Sequence, residues 1–304
     1  MYKAVFVDID GTLVDENKNV SFKTMNAIKK AKESGIEVII CSGRPRYSSI
    51  AFQELCDASK YLICTNGSEI YDCNTHQVLY KSAIDIEDCK VLYEFIEAND
   101  MVIKLGFGIS RAVNKSEYID KNEIVLDEDI ETFLSKNDVV QITLSSVDYQ
   151  KIEEIKAIIQ SRPNIKVANE FTWEVNSQKL HSVHCTNANI SKGNAMAGLC
   201  KFLKIDLKQA VAIGDGINDI SMIKMAGLGV AMGNASDEIK QVANMVTSSN
   251  EESGVGEVLE MILEECIWEN EESIIKKNNR LGGKKWIPNL FIIFPQKFIL
   301  VKIS

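Results

Sequence analysis

Lys3-Ala4-Val5-Phe6-Val7-Asp8-Ile9-Asp10-Gly11-Thr12-Leu13 begins with an apolar run and ends in two acids separated by one residue. A short run of β-branched and aromatic residues bounded by an Asp-Gly turn predicts a buried strand, Lys3–Ile9. Side chains alternate along a strand, so Asp8 and Asp10 are expected to project to one side while Ile9 points away. The carboxyl end of a strand is where open α/β sheets place their ligands. Two carboxylates there are costly unless paired or metal-bound, although alone they also fit a solvated strand end leading into a turn.

Outward from this strand the pattern is regular. Phe22, Met25, Ile28 and Ala31 recur at helical spacing from about Ser21, and Gly35 closes the helix. Glu37–Cys41 is a second apolar run, Tyr47–Cys56 a helix, and Tyr61–Cys64 a third strand leading to the turn Asn66-Gly67. Such β-α-β-α-β alternation predicts a parallel sheet with helices on both faces. The rhythm returns late in the chain. Met196, Leu199, Cys200 and Leu203 form one helical stripe, followed by strand Ala210–Ile213, helix Asp219–Ala226, strand Leu228–Met232, helix Ser236–Ala243 and strand Met245–Thr247. Val255, Val258, Leu259, Ile262 and Leu263 mark a last amphipathic helix. Between the halves, helices Ile86–Ala98 and Tyr149–Gln160 alternate with strands Val139–Leu144, Lys166–Ala168 and Thr172–Val175. The fold class expected is therefore α/β: a Rossmann-like parallel-sheet core built from residues 1–82 and 185–266, interrupted by an inserted α+β domain over 83–184.

The segment 267–304 differs in kind. Its lysines and arginine (Lys276, Lys277, Arg280, Lys284, Lys285, Lys297, Lys302) outnumber its acids, and its apolar stretch from Trp286 is broken by Pro288 and Pro295. A membrane span needs about 20 mostly apolar residues, so this is an extension of unknown role, with weak surface association as one alternative. Over the whole chain 34 basic residues face 43 acidic ones, a formal charge of −9 that disfavours nucleic acid and anionic membranes as broad partners. The eight cysteines form no C-x-x-C pair and read as reduced core thiols, and no apolar leader precedes Asp8, so a cytoplasmic location is expected.

A second acidic strand end lies at Ala212-Ile213-Gly214-Asp215-Gly216-Ile217-Asn218-Asp219. Glycines on both sides of Asp215 permit a tight strand-to-helix turn, and the four-residue spacing lets Asp215 and Asp219 face one site. Hard oxygen ligands gathered at one sheet edge suit Mg²⁺. Ser42-Gly43, directly after Cys41, offers a hydroxyl and a backbone N–H to a phosphoryl oxygen, and Lys192 at a helix start supplies positive charge. Taken singly, Ser42 also reads as a turn or cap residue and Lys192 as a solvated lysine. Their joint occurrence, each at a strand end or helix start in the right order, is what makes the pattern specific.

With these residues in view, the chain resembles the haloacid dehalogenase superfamily, in particular its Cof-type phosphatases with an inserted α/β cap of type IIB. The resemblance covers about residues 1–266. Asp8-Ile9-Asp10-Gly11-Thr12-Leu13 is similar to the first family motif, Ser42-Gly43-Arg44-Pro45 to the second, Ser191-Lys192-Gly193 to the third, and Gly214-Asp215-Gly216-Ile217-Asn218-Asp219 to the fourth; Thr65-Asn66-Gly67 resembles the loop just before the cap. The approach to Lys192 departs from the pattern, with Asn187 for proline and Asn189 for glycine; Asn tolerates left-handed backbone, so Asn189 is expected to keep the turn. The resemblance implies that Asp8 attacks phosphorus and forms an aspartyl-phosphate, and that Asp10 is the general acid and base. It implies that Mg²⁺ is held by the Asp8 carboxylate, the Asp10 main-chain oxygen and Asp215, with Asn218 and Asp219 in support. Ser42, Gly43 and Lys192 are then the ligands of the phosphoryl group, Lys192 being part of the catalytic set.

Weaker signals fall away. Leu105–Arg111 lacks the third glycine of a dinucleotide fingerprint, and His181 and His184 face opposite ways on a strand, which opposes a zinc site with Cys185. Phe171 and Trp173 are expected in the core of the inserted domain rather than as a substrate platform. The function implied is a Mg²⁺-dependent phosphatase for a small phosphorylated metabolite such as a sugar phosphate, a nucleotide or a phosphorylated vitamin. A phosphomutase of the phosphomannomutase type is the rival enzyme, opposed by the presence of only Arg111 and Arg162 as arginines in 83–184. A non-catalytic binding protein using the basic tail is opposed by the retention of every acid.

Overall fold

Every residue of the first strand, Ala4–Val7, is buried in the computed structural model, which describes residues 1–175 and 177–264. In chain order the strands are β1 (Ala4–Val7), β2 (Glu37–Cys41), β3 (Tyr61–Cys64), β4 (Glu69–Asp72), β5 (Gln77–Lys81), β6 (Val102–Phe107), β7 (Ser110–Val113), β8 (Glu123–Val125), β9 (Gln141–Ser146), β10 (Ile165–Val175), β11 (Gln178–Asn187), β12 (Ala210–Gly214), β13 (Leu228–Ala231) and β14 (Met245–Val246). The helices are α1 (Phe22–Glu33), α2 (Arg46–Leu55), α3 (Ile86–Ala98), α4 (Ile130–Lys136), α5 (Tyr149–Gln160), α6 (Lys192–Leu203), α7 (Ile220–Met225) and α8 (Asp237–Val242), followed by a helix over 254–264.

An eight-stranded sheet runs β14-β13-β12-β1-β2-β3-β4-β5, parallel from β14 to β3. Alternation along β1 sends Val5 and Val7 into one apolar layer with Ile28, Val258 and Leu259, and Ala4 and Phe6 into the opposite layer with Met196, Leu199 and Met222. Helices on both faces thus explain why the strand is apolar throughout. The antiparallel hairpin β4–β5 at one edge is absent from the pattern expected of the sequence. Its signal is missing for a physical reason: β5 is exposed along its length, and β4 buries Glu69 and Asp72, so neither strand shows an apolar face.

Two local expectations are corrected. The first strand stops at Val7 rather than Ile9, because the chain turns there: the Leu13 and Thr12 N–H groups bond back to Asp8 and Ile9 carbonyls, and Gly11 takes φ +72°. In α1 the cap is Ser21, whose Oγ accepts from the Thr24 N–H at 3.1 Å, and Ala27, Ile28 and Ala31 are buried. Phe22, however, is 81% exposed: as the first helical residue it precedes the turn that meets the sheet.

The second sheet runs β10-β11-β9-β6-β7-β8, antiparallel except for β7–β8. Residues 165–175, expected as two short strands, form one strand with a register shift between Val167 and Asn169. Helices α3 and α5 occupy the residues that periodicity predicts, while β6 to β8 and α4 are not among the elements expected from the sequence. Ile103, Leu105, Ile142, Leu144 and Val183 bury one face of this sheet under Leu92, Ile96, Ile152 and Ile155. The other face, carrying Lys104, Gln141, Thr143, Trp173 and His184, turns away from these helices.

Among the described residues no helix is long and apolar enough to cross a membrane, and the cysteines are unbridged, all buried except the half-buried Cys73. The extension 267–304, with its basic cluster, lies outside the described residues, as does Cys266.

Phe6 and Phe22 differ only in what surrounds them. Phe6→Ala is expected to cost about 3–5 kcal/mol, and Phe22→Ala no more than about 0.5 kcal/mol, read from chemical unfolding of the two variants. Equal losses would contradict the exposure of Phe22.

Candidate active site

The turn after β1 and the turn after β12 bring Asp8, Asp215 and Asp219 together. One carboxylate oxygen from each lies within 4.8 Å of the others. Lys192, the first residue of α6, has no exposure; its Nζ donates to Asp8 Oδ1 and to Asp219 Oδ1, each at 2.6 Å. The other Asp219 oxygen accepts the backbone N–H groups of Asp215 and Gly216 at 3.1 and 2.9 Å, and Thr12 Oγ1 donates to Asp215 Oδ1 at 2.8 Å. Gly11 is required here, since in its left-handed conformation a Cβ would lie 2.2 Å from Asp215 Oδ2.

Three acids and one ammonium leave this buried cluster with surplus negative charge. Burial pushes Asp8 up to about 7 against the pull of Lys192, with Asp219 adding to the rise. Burial also raises Asp215 to about 6. Burial alone would lower Lys192, but Asp219 and Asp8 hold it well above the ordinary lysine range, so it stays charged. A cluster of hard oxygens too negative for its surroundings fits a divalent cation such as Mg²⁺. Asp219 lies in that cluster with both oxygens already bonded, Oδ1 to Lys192 and Oδ2 to the two backbone N–H groups.

Asp10 borders the same cavity but has different partners. Arg44 Nε and Nη2 donate to its two oxygens at 2.6 Å each, and Lys18 Nζ donates at 2.9 Å. Burial would raise Asp10, but the hydrogen bonds from Arg44 and then Lys18 outweigh it and bring its pKa down to about 2. The expected alternation of Asp8, Ile9 and Asp10 along a strand does not apply, because the strand has ended; the turn directs the Asp10 carboxylate to Arg44.

Ser42 and Gly43 line the cavity beside these acids. Ser42 Oγ accepts the Arg44 N–H at 3.1 Å, and its loop is fixed from below: the Asn66 N–H donates to the Ser42 carbonyl at 3.0 Å and the Thr65 N–H to that of Arg44 at 2.9 Å. Thr65, Asn66 and Gly67 all have positive φ (50°, 58° and 100°), a strained run for a β-branched residue. Asn218 Nδ2 donates to Asn66 Oδ1 at 2.8 Å, which ties the fourth motif to this loop. Asn189 is not left-handed, contrary to expectation. The turn before Lys192 is held by side chains instead: Asn187 Oδ1 accepts the Asn189 N–H, and Asn194 Nδ2 donates to the Asn189 carbonyl, both at 3.0 Å.

Asp8, Asp10, Ser42, Gly43, Arg44, Asp215 and Asn218 form one wall of a cavity of about 490 Å³, with Lys192 buried behind Asp8. The opposite wall is the helix-free face of the second sheet, including Lys104, Arg111, Thr143, Phe171, Trp173 and His184. Phe171 and Trp173 therefore belong to the cavity and not to the core of the insert, because alternation along β10 places them with Asn169 on the face away from α3 and α5. His184, its ring centre 4.4 Å from that of Phe171 and tilted by 54°, is lowered to about 3 by burial and by Arg111, and is neutral. Sequence reasoning missed Arg44, Thr12 and Lys18 as partners of the acids. Arg44 and Thr12 at least stand inside the motifs, whereas Lys18 carries no signal.

A family model described as haloacid dehalogenase-like hydrolase matches residues 5–259. Phosphatase YwpJ of Bacillus subtilis (strain 168) is 26% identical over 292 residues, covering 86% of this chain and 100% of that protein. The 5-amino-6-(5-phospho-D-ribitylamino)uracil phosphatase YcsE of the same organism is 29% identical over 264 residues, covering 84% and 94%. Among solved structures, the HAD subclass IIB sugar phosphatase BT4131 gives a TM-score of 0.69 at 25% identity, covering 86% of this chain and 98% of that one. Coverage of this breadth takes in both sheets.

Removing the central cation leaves Asp8 and Asp219 as uncompensated buried charges. Lys192→Met is expected to destabilise the fold by about 3–5 kcal/mol although it fills the same space. Denaturant titration measures this, and a loss below about 1 kcal/mol would contradict the burial of the triad.

Proposed function

Since the chain belongs to the haloacid dehalogenase-like hydrolases and is a Cof-type phosphatase, a phosphoric monoester hydrolase, we propose that it is Mg²⁺-dependent and releases phosphate from a small phosphorylated metabolite through an aspartyl-phosphate on Asp8. The observation that carries this is the Asp8 carboxylate, buried beside Asp215 and Asp219 and bound by Lys192, bordering a cavity wide enough for a metabolite.

In the first step an Asp8 oxygen forms a bond to phosphorus as the bond from phosphorus to the alcohol oxygen breaks, and Asp10 gives its proton to that oxygen. In the second step Asp10 takes a proton from water, whose oxygen bonds to phosphorus as the acyl-phosphate bond breaks, releasing phosphate and restoring Asp8. Held ionised by Arg44 and Lys18, Asp10 is in the form suited to the second step; an entering phosphoryl anion raises its affinity for the proton needed in the first. Ser42, Gly43 and the Lys192 ammonium bind the phosphoryl oxygens. Asp8, Asp215 and the Asp10 main-chain oxygen would hold Mg²⁺, with Asn218 and Asp219 in support; its charge offsets the repulsion between carboxylate and phosphate. The insert of about 83–184 acts as a cap over the core of 1–82 and 185–266, excluding water and contacting the leaving group.

Adding MgCl₂ to metal-free protein should raise its melting temperature, by linkage equivalent to about 2.7 kcal/mol at a hundredfold excess over Kd. Asp215→Asn should abolish most of that rise; an equal rise in the variant would remove Asp215 from the metal set.

Asp8→Asn should reduce phosphate release to background and leave no acid-stable phosphoryl-enzyme. Asp10→Asn should slow alkyl phosphates by about 10²- to 10⁴-fold and aryl phosphates less, since aryl leaving groups need little protonation. Rapid-quench trapping distinguishes the two, and an Asp10→Asn enzyme as fast as wild type on an alkyl phosphate would overturn the acid–base role.

A further inference from the structure

On β9, Ile142 and Leu144 enter the apolar layer under α3 and α5, so Gln141, Thr143 and Ser145 turn to the opposite face. Two of these three are committed. Gln141 donates to the Gly43 carbonyl at 3.2 Å and accepts from Arg111 at 3.3 Å. Ser145 accepts from Ser182, which in turn accepts the Trp173 indole N–H, at 2.7 and 2.8 Å. Thr143 is 4% exposed and lines the cavity, and its Oγ1 is buried without a partner among the described residues. A buried hydroxyl left unbonded is costly, and both its donor and its acceptor capacity are unmet at a residue that lines the cavity.

The two cations near it share one buried carboxylate. Lys104 Nζ lies 2.7 Å from Glu123 and donates to the Tyr118 carbonyl at 2.9 Å, Arg111 lies 3.7 Å from the same Glu123, and that carboxylate is 2% exposed. Asp120 at the cavity's edge adds a further negative charge. A second phosphate or a carboxylate on the substrate would have to compete with that buried carboxylate for Lys104 or Arg111. The Trp173 and Phe171 rings offer apolar area to a leaving group instead.

We propose that Thr143 is a specificity-determining residue whose hydroxyl hydrogen-bonds an uncharged, hydroxyl-bearing leaving group, so that the preferred substrate is a phosphate monoester with no second anionic group. This rests on the phosphatase reading above.

The test compares wild type, Thr143→Val and Thr143→Ser on hexose, pentitol and nucleoside monophosphates, phosphoglycolate, a hexose bisphosphate and para-nitrophenyl phosphate. Wild type should favour a monoester of a neutral alcohol over phosphoglycolate and the bisphosphate, and the best ester shows whether the alcohol is a polyol or a nucleoside. Thr143→Val should lower the ratio of kcat/KM for that ester to kcat/KM for para-nitrophenyl phosphate by about 5- to 100-fold, and Thr143→Ser should restore most of it. An unmoved ratio in the valine variant, or a wild-type preference for the doubly anionic esters, overturns the proposal while leaving the phosphatase reading intact. No phosphate release by wild type from any ester overturns both.

Discussion

The ammonium of Lys192, enclosed between the carboxylates of Asp8 and Asp219, is the contact on which the site depends. Neither acid tolerates burial without it, and both must be buried for the turns after β1 and β12 to meet. The backbone N–H groups of Asp215 and Gly216 complete the coordination of Asp219, so the fourth-motif turn is shaped around one carboxylate oxygen. The arrangement is still too negative to be a finished ion-pair network, which is the charge balance that the proposed Mg²⁺ would complete.

Much of this was legible in the sequence. Helices α3 and α5 could be placed to the residue because each follows an aspartate and carries a clear apolar stripe, whereas β1 was found by its apolar run but not bounded, since the turn that ends it at Val7 leaves no mark in the pattern. Asp8, Asp215, Asp219 and Lys192 stood out because charged groups at the ends of apolar strands or at a helix start need partners. Contacts between segments were less accessible. Arg44 reaches Asp10 across 34 residues, and no local pattern states which carboxylate it chooses.

The aromatic wall shows the limit most clearly. Alternation tells that Asn169, Phe171 and Trp173 share a face, but not which face the helices cover. That is decided by Ile142, Leu144 and Val183 on the neighbouring strands, which take the helices to the far side. Phe22 errs in the other direction: it fits the period of α1 yet sits at its first turn, where the helix has not reached the sheet. The turn at Asn189 is a third case, in which side-chain hydrogen bonds do what a left-handed backbone was expected to do.

The pairing of β1 with β12 has a consequence for synthesis. Ala4 is matched to Ala210, so one edge of the strand at the centre of the sheet waits for its neighbour while the intervening chain is made. At ribosomal rates of about 5–20 residues per second, that interval is on the order of 10–40 s. Until then β1, β2 and β3 have an apolar open edge, while the inserted residues, which lie between β5 and β12, can close their own apolar layer once β11 is made. The nascent chain therefore presents a finished middle before its ends have met, and whatever shields the β1 edge during translation decides how much of the protein survives to close its site.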